Sequence, residues 1–424
     1  MKTLPAYLVV LACASMAAPV RADGDCSKNH FILADPVDCW QEAESPHLPR
    51  AGHTATLLLD GRVLVAGGDG DGGASAEIYD PATGHWTLAA PLALSRAGHT
   101  ATLLPDGRVL VLGGHQTYVA PAWLPGAMAP TDARVLNDDT GEIYDPVAGT
   151  WTTIPGPITP RGSFSATALA DGRVLVVGGI DDDDNALGSA EIYDPVTGRW
   201  AQTGSLPRTS IHEGPSPWTR WGHTATLLDD GRVLMAGGFS DDWSMEVVAR
   251  AELYDPATGL WTEVGGLSDP RAWHTANLLA NGRVMVTGGE SRHCPNGDWC
   301  QEHTVGTTEI YDPATQAWSA GPPLTVARSS HTSTLLADGS LLAVGGRLDV
   351  APIPDARSIV LATTEVLAGS APAWTAAPPL LEPRGGHTAT LLGDGSVLVV
   401  GGWGNTIAAA SSAEIYRRAS DSSP

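Results

Sequence analysis

The chain has 424 residues, of which 47 are acidic and 24 are basic, so its formal net charge at neutral pH is −23. This excess of negative charge makes nucleic acid and anionic lipid poor partners. Beyond the first residues no segment is long and apolar enough to span a bilayer, so we expect no membrane span.

The amino terminus has the pattern of a secretory signal peptide. Lys2 precedes an apolar stretch that ends in small residues, which predicts cleavage after Ala22. We therefore expect a periplasmic or secreted protein from which residues 1–22 are removed. An alternative is a lipoprotein in which Cys13 of "VLAC" carries the lipid, although its apolar region would be very short.

Four cysteines remain after this cleavage. In an oxidising compartment we expect two local disulfides, Cys26 with Cys39 and Cys294 with Cys300, although the sequence permits other pairings. For the second pair the alternative is a Cys2His2 zinc site completed by His293 and His303. We favour the disulfide, and we expect no metal or other cofactor.

Seven copies of one short phrase follow one another along the chain. A Gly-Gly pair marks each copy, beginning at Gly67, Gly113, Gly178, Gly237, Gly288, Gly345 and Gly401. An Asp-Gly or Asn-Gly turn precedes each pair, with its glycine at Gly61, Gly107, Gly172, Gly231, Gly282, Gly339 and Gly395. Apolar and β-branched residues flank each turn, which predicts a hairpin with a two-residue type I′ turn.

After each Gly-Gly pair come a variable loop, "AEIYDPATG" or a relative of it, and usually a tryptophan. The Asp-Pro-x-x-Gly segment favours a second turn, so each unit has four short strands: a ("HTATLL"), b ("RVLVAGG"), c ("AEIYD") and d, which holds the tryptophan. Strand b is apolar at successive positions, which indicates burial on both faces. Stacked sheets provide such burial, so we predict an all-β, seven-bladed β-propeller with four antiparallel strands per blade.

The seventh unit lacks a tryptophan strand, whereas Trp40 stands alone near the amino terminus. We predict that the Trp40 segment supplies strand d of the last blade and closes the ring, which removes the free sheet edge. The predicted organisation is a signal peptide (1–22), an amino-terminal segment with the first disulfide (23–39), a propeller (40–416) and a flexible tail (417–424). We expect a monomer.

The Gly-Gly, tyrosine and tryptophan spacing resembles the kelch repeat over essentially the whole mature chain. This resemblance implies a kelch-type propeller, a fold shared with the galactose and glyoxal oxidases. Those oxidases have a copper-binding Tyr-His pair in a phrase similar to "R-x-x-H-T-A-T-L-L-x-D-G-R", and a cysteine crosslinked to tyrosine near the axis. Here Tyr-His does not occur, and Gly52, Gly98, Gly222, Trp273, Ser330 or Gly386 precedes the motif histidine. We therefore expect no copper-radical chemistry.

Two polar residues recur where the chain enters strand a. The arginines are Arg50, Arg96, Arg161, Arg220, Arg271, Arg328 and Arg384; the histidines are His53, His99, His223, His274, His331 and His387, with Phe164 in the remaining place. Because every blade has them, we interpret them as structural residues that bond backbone, or the glutamate that recurs before each tyrosine, between adjacent blades. The alternative for the histidines is a metal held by two or three imidazoles that face inward.

The short turns lie at one end of every blade, so the variable b–c and d–a loops emerge together at the other end, the top face. Six tryptophans outside strand d fall there, namely Trp218, Trp221, Trp243, Trp273, Trp299 and Trp403. With Asp241, Asp242 and Glu290 nearby they predict an aromatic, acid-edged shelf for sugar rings or a basic peptide. Further candidate binding residues are Arg220, Arg271, His223 and His274. The alternative is that the indoles pack on one another to hold long loops.

Two acidic runs, "DGDG" from Asp69 and "DDDD" from Asp181, are interpreted as solvated loops rather than calcium sites.

We predict an exported kelch-type binding module that recognises a glycan or a protein or peptide on its top face, and we favour no catalysis. The alternative is a sugar-processing enzyme. Kelch propellers similar to this one include a periplasmic sialic acid epimerase with a carboxylate and an arginine in its central pocket, and Glu213, Arg220 and Arg271 are the residues here that the resemblance offers for those parts. A deep, axial, charged pocket would favour the enzyme, and a shallow tryptophan-lined surface would favour the binding module.

Overall fold

A computed structural model of the chain describes residues 38–69, 73–114, 140–183, 185–207, 219–240, 247–293, 301–349, 358–369, 371–404 and 409–418. These residues form seven four-stranded antiparallel sheets and two additional two-stranded ribbons. The predicted seven-bladed β-propeller is confirmed. Within the same residues no helix has the length and apolar character that crossing a membrane requires.

The strands follow the predicted order a, b, c, d in blades 1 to 6. Strands a are Thr54–Leu57, Thr100–Leu103, Ser165–Ala168, Thr224–Leu227, Thr275–Leu278, Thr332–Leu335 and Thr388–Leu391. Strands b are Val63–Ala66, Val109–Leu112, Val174–Val177, Val233–Ala236, Val284–Thr287, Leu341–Val344 and Val397–Val400. Strands c are Ala76–Asp80, Thr140–Asp145, Ala190–Asp194, Ala251–Asp255, Thr308–Asp312, Thr364–Leu367 and Ala413–Arg417. Strands d are His85–Leu88, Thr150–Pro155, Arg199–Gln202, Leu260–Val264, Ala317–Ala320, Thr375–Ala377 and, for blade 7, Cys39–Ala43.

The a–b turn is a three-residue loop, so the predicted two-residue type I′ turn is wrong. In blade 1, Leu58 N–H donates to Arg62 O and Gly61 N–H donates to Leu58 O. Only Gly61 of this turn has a positive φ, at 87°, whereas a type I′ turn needs two such residues. Asp60 instead keeps ordinary backbone angles, and its side chain accepts the N–H of Arg62 at 3.0 Å. Asp-Gly therefore specifies a type I turn followed by a left-handed glycine.

Each blade is held to the next through strand b. All four residues of every strand b are buried, as the apolar pattern predicts. Seven apolar clusters result, one at each junction between adjacent blades, and each combines strand b residues of both partners. Burying one such side chain stabilises the fold by about 1.5–3 kcal/mol.

The amino-terminal strand closes the ring. Strand Cys39–Ala43 pairs with Ala413–Arg417 along its whole length, with Trp40 opposite Tyr416. The Trp40 indole packs 5.2 Å from the Tyr416 ring and donates its N–H to Pro378 O in blade 6 at 2.8 Å. Each strand a also contacts strand a of both neighbouring blades, including blades 7 and 1, so the seven sheets surround one axis.

Candidate functional site

The recurring arginines form buried ion pairs with the recurring glutamates. The pairs are Arg50–Glu77 (2.6 Å), Arg96–Glu142 (3.0 Å), Arg161–Glu191 (2.6 Å), Arg220–Glu252, Arg271–Glu309 (2.9 Å), Arg328–Glu365 (2.7 Å) and Arg384–Glu414 (2.6 Å). The two partners belong to the same blade, so the expectation that this pair joins adjacent blades is wrong. The glutamate also accepts backbone N–H groups of the d–a loop, as Glu77 does from His47. The pair therefore fixes the loop that crosses between blades.

The recurring histidines join neighbouring blades. Each Nε2 lies within hydrogen-bond distance of a Thr or Ser hydroxyl at the start of the preceding strand a: His53–Thr388, His99–Thr54, His223–Ser165, His274–Thr224, His331–Thr275 and His387–Thr332. Burial lowers the pKa of His223, His274 and His387 to about 3, so these imidazoles are neutral. At the junction of blades 2 and 3, Phe164 takes the histidine's place, and the Thr100 hydroxyl has no partner among the described residues.

A ring of left-handed residues surrounds the axis, one residue before each histidine or Phe164. Glycine occupies four of these positions, with φ of 61° at Gly52, 63° at Gly98, 64° at Gly222 and 60° at Gly386. The other three are Ser163, Trp273 and Ser330, at 52°, 52° and 50°. A bulky residue in this region is strained, and such strain is concentrated at functional sites. The strained backbone therefore marks Trp273 as the residue of this ring to consider first for a functional role.

A second ring is formed by the residue that follows each Gly-Gly pair. Its backbone pairs with the residue after the motif arginine, as in Trp221 with Phe239 and Ala272 with Glu290. The described members are Asp69, Ile180, Phe239, Glu290, Arg347 and Trp403; His115 lies outside the described residues. The six described side chains differ, although their backbone position is the same. The Gly-Gly pairs mark this register in the sequence, where these residues are the first of each variable loop.

The two rings enclose an axial pocket at the top-face ends of the strands, with a volume of about 700 Å³. The aromatic part of its wall consists of Trp221, Phe239 and Trp273 from blades 4 and 5, and Trp403 from blade 7. Trp221 stacks on Phe239 with ring centroids 4.4 Å apart, and Trp273 meets Trp221 edge-on at 5.7 Å. Trp273 nevertheless keeps 39% of its surface exposed. The wall thus combines indoles that brace one another with an indole face open to a ligand.

The part of the pocket lining that comes from the ribbons of blades 5 and 6 is charged. A ribbon formed by Glu290–His293 and Gln301–Thr304 carries Glu290 and the Arg292–Glu302 pair, whose charged atoms are 2.6 Å apart. A second ribbon, Arg347–Leu348 with Ile359–Val360, carries Arg347, which lies 2.7 Å from Glu290 and 3.3 Å from Asp349. Burial raises the pKa of Glu290 to about 7, against the opposing effect of the Arg347 charge.

Asp69 is the remaining carboxyl group of the pocket. Its backbone N–H donates to Ala51 O, and its Oδ1 is buried without a hydrogen-bond partner among the described residues. Burial raises the pKa of Asp69 to about 7. This position differs from the solvated loop expected for "DGDG", because the residue after Gly-Gly is turned toward the axis. Asp181, in contrast, is half-buried and caps its own loop by accepting the N–H groups of Asp183 and Asn185.

The structure brings part of the predicted shelf together. Trp221, Trp273, Trp403, Glu290 and His274 line the axial pocket. Arg220 and Arg271 are fully buried in their glutamate pairs, and His223 is within hydrogen-bond distance of Ser165; these three are not among the described residues that line the pocket. Trp218, Trp243, Trp299, Asp242, Glu213, Cys26, Cys294 and Cys300 lie outside the described residues.

The described residues contain no group of three or more His, Cys, Asp or Glu side chains arranged to hold a metal ion.

Comparison with known proteins identifies the class. The model of the "KLHDC2/KLHL20/DRC7 Kelch-repeats domain" matches residues 22–238, slightly more than half of the chain. The chain therefore belongs to the kelch-repeat family. Kelch propellers are commonly interaction modules.

Individual relatives are distant. An F-box/kelch-repeat protein of Arabidopsis thaliana is 25% identical over 286 residues, which cover 63% of this chain and 57% of that protein. Galactose oxidase of Gibberella zeae is 26% identical over 223 residues, covering 50% of this chain and 32% of the oxidase. Human Kelch-like protein 34 is 26% identical over 217 residues, covering 51% and 30%. This chain thus spans between about a third and somewhat more than half of the length of these relatives.

Two solved structures share the fold. One is a fungal alcohol oxidase of the AA5 family in complex with copper, with a TM-score of 0.67 at 17% identity, covering 90% of this chain and 76% of the oxidase. The other is a protein named YjhT, with a TM-score of 0.55 at 15% identity, covering 79% of this chain and 99% of that one. At these identities the likeness establishes the propeller architecture alone.

Proposed function

We propose that this protein is an exported kelch propeller that binds carbohydrate in its axial pocket. The observation that carries the proposal is that aromatic and charged groups line one cavity: Trp221, Phe239, Trp273 and Trp403 together with the Glu290–Arg347 and Arg292–Glu302 pairs. A sugar ring presents an apolar face of C–H groups and an edge of hydroxyls. Stacking on an indole and hydrogen bonding to carboxylate or guanidinium groups satisfy both.

The dimensions of the pocket support the same proposal. A volume of about 700 Å³ falls within the usual range of small-ligand sites. The charged groups are held in place before any ligand arrives, since Asp349 accepts the hydroxyl hydrogens of Thr304 (3.1 Å) and Ser358 (2.7 Å) while it pairs with Arg347. Such preorganisation lowers the entropy cost of binding.

Export and the two disulfides belong to the same proposal. The signal-peptide pattern of residues 1–22 supports export. Cys39 is disulfide-bonded, which supports an oxidising compartment; its predicted partner Cys26 lies outside the described residues. Intact mass under non-reducing conditions tests both disulfides, because two of them remove four hydrogens from the mature chain.

The test of carbohydrate binding is a glycan array probed with the mature protein, residues 23–424, followed by titration calorimetry on the best ligand. The variant Trp221→Ala/Trp273→Ala is expected to lose binding. Its matched control is Trp200→Ala, which removes an indole from the outer strand of blade 3, where the N–H donates to Pro155 O. The control should lower stability and keep affinity. An array without any bound glycan, or a double variant that binds as the parent does, contradicts the proposal.

A second candidate function is a sugar-processing enzyme, and the Glu290–Arg347 pair is the observation that favours it. A buried carboxyl group with a pKa of about 7 can exchange a proton at neutral pH, and the guanidinium 2.7 Å away can stabilise a developing negative charge. Incubating the best glycan with the protein in D2O tests this function. Catalysis at carbon would appear as deuterium incorporation or a new anomer or epimer that Glu290→Gln abolishes.

A further inference from the structure

The charges of the axial pocket are not all compensated within it. Glu290 faces Arg347 at 2.7 Å, and Glu302 faces Arg292 at 2.6 Å. Asp69 has no cationic side chain beside it among the described residues, and no neighbouring charge offsets the burial that raises its pKa. The carboxyl group that lines the pocket in blade 1 thus lacks the counter-charge that the other two have.

The Asp69 carboxyl group, which lines the pocket, also has an acceptor without a donor. A methyl group built on Gly52 would lie 3.4 Å from Oδ2, so this oxygen lies close to the ring of left-handed residues around the axis. Oδ1 is buried and has no hydrogen-bond partner in the described part of the chain. A buried acceptor without a donor is costly unless a ligand or water supplies the donor.

An aromatic side chain occupies the equivalent position in the adjacent blade. Trp403 follows the Gly-Gly pair of blade 7 as Asp69 follows that of blade 1, and a methyl group built on Gly386 would lie 2.6 Å from the Trp403 Nε1. Trp403 and Asp69 line one pocket from neighbouring blades, and an indole face and a carboxylate are two groups that each attract an organic cation.

Resting on the proposed carbohydrate function, we infer that the preferred ligand is an amino sugar with a free ammonium group, and that Asp69 binds this group beside Trp403. A neutral sugar would leave Asp69 either charged without a counter-ion or protonated. An ammonium group supplies both the missing charge and the missing donor. The sugar ring would then extend toward Trp273 on the far side of the axis.

The test compares three β-1,4-linked disaccharides of one shape that differ at carbon 2: the glucosamine dimer (ammonium), N,N′-diacetylchitobiose (acetamide) and cellobiose (hydroxyl). Titration calorimetry at pH 7 is expected to show that the glucosamine dimer binds about tenfold more tightly than cellobiose, the effect of one charge-assisted hydrogen bond. Asp69→Asn should abolish this preference, so that the glucosamine dimer and cellobiose bind with equal affinity. Asp229→Asn, the same change at an exposed turn on the opposite face, should alter neither.

Equal affinity for the three disaccharides, or a preference that survives Asp69→Asn, overturns the inference while leaving carbohydrate binding intact. Asp69-dependent binding of a tetralysine peptide without binding of any disaccharide overturns it in favour of a basic peptide ligand. If neither the three disaccharides nor any glycan of the array binds, the proposed function itself has failed.

Discussion

Trp273 holds a left-handed backbone conformation that glycine occupies in four other blades, and replacing it separates strain from function. For a residue with a Cβ this conformation costs about 1–2 kcal/mol. The indole offsets part of that cost through its edge-on contacts with Trp221 at 5.7 Å and Phe239 at 6.2 Å, each worth about 0.5–1.5 kcal/mol.

The two truncations Trp273→Ala and Trp273→Gly lose the same aromatic contacts but differ in strain. Alanine keeps a Cβ in the left-handed region and therefore keeps the strain. Glycine relieves the strain, but it destabilises the folded protein by about 0.4–1 kcal/mol because the unfolded chain gains conformational entropy. The glycine variant is therefore expected to be about 1 kcal/mol more stable than the alanine variant, a difference of about 1–2 °C in Tm for a chain of this size. Both variants should bind glycan about tenfold more weakly because the open indole face is gone.

Differential scanning calorimetry and titration calorimetry on the two variants measure both quantities. The reasoning is refuted if the alanine variant is as stable as the glycine variant, since the backbone at residue 273 would then carry no strain. It is equally refuted if the glycine variant binds the best array glycan as the parent does, because Trp273 would then not belong to the binding wall.

Three further predictions concern the ring and the pocket. Burial raises the pKa of Asp69 to about 7, so the unfolded chain releases this proton at lower pH than the folded protein, and the wild type loses stability between about pH 4 and 7. In urea unfolding, Asp69→Asn should be more stable than the wild type at pH 8, and this difference in stability should close toward pH 4. His53→Phe leaves the Thr388 hydroxyl without a partner and should lower stability by about 1–2 kcal/mol, and adding Thr388→Val should recover part of this loss. A double variant less stable than His53→Phe would contradict the hydrogen bond between His53 and Thr388. Glu191→Gln removes the charge facing buried Arg161 and should destabilise the protein by about 3–5 kcal/mol. Its control Asp171→Asn weakens the exposed pair with Arg173 and should cost less than about 1 kcal/mol; equal losses of stability in urea unfolding would refute this difference between buried and exposed pairs.

The ring closure and the blade order followed from the sequence because local chemistry specifies them. The Gly-Gly pairs, the Asp-Gly turns and the isolated Trp40 predict seven units and the strand that completes the last one. The turn type was wrong for a local reason: Asp60 satisfies the Arg62 N–H with its side chain and needs no positive φ.

The pocket was only partly predictable because its members are joined by the closure of the ring rather than by neighbouring sequence. Trp221 and Trp273 stood out as breaks in the repeat. Glu290 and Arg347 are 57 residues apart and meet only because two ribbons rise from adjacent blades. The acidic composition of "DGDG" predicts a solvated loop at Asp69, since composition alone does not reveal that the residue after each Gly-Gly pair turns toward the axis.

A crystal structure of the mature protein with the best array glycan tests the central claim most directly. We predict a sugar ring in the axial pocket, stacked on Trp273 and hydrogen-bonded to at least one of Glu290, Arg347 and Asp69. A glycan bound on the outer strands or on the face of the Asp-Gly turns, with the axial pocket holding only water, would contradict the account.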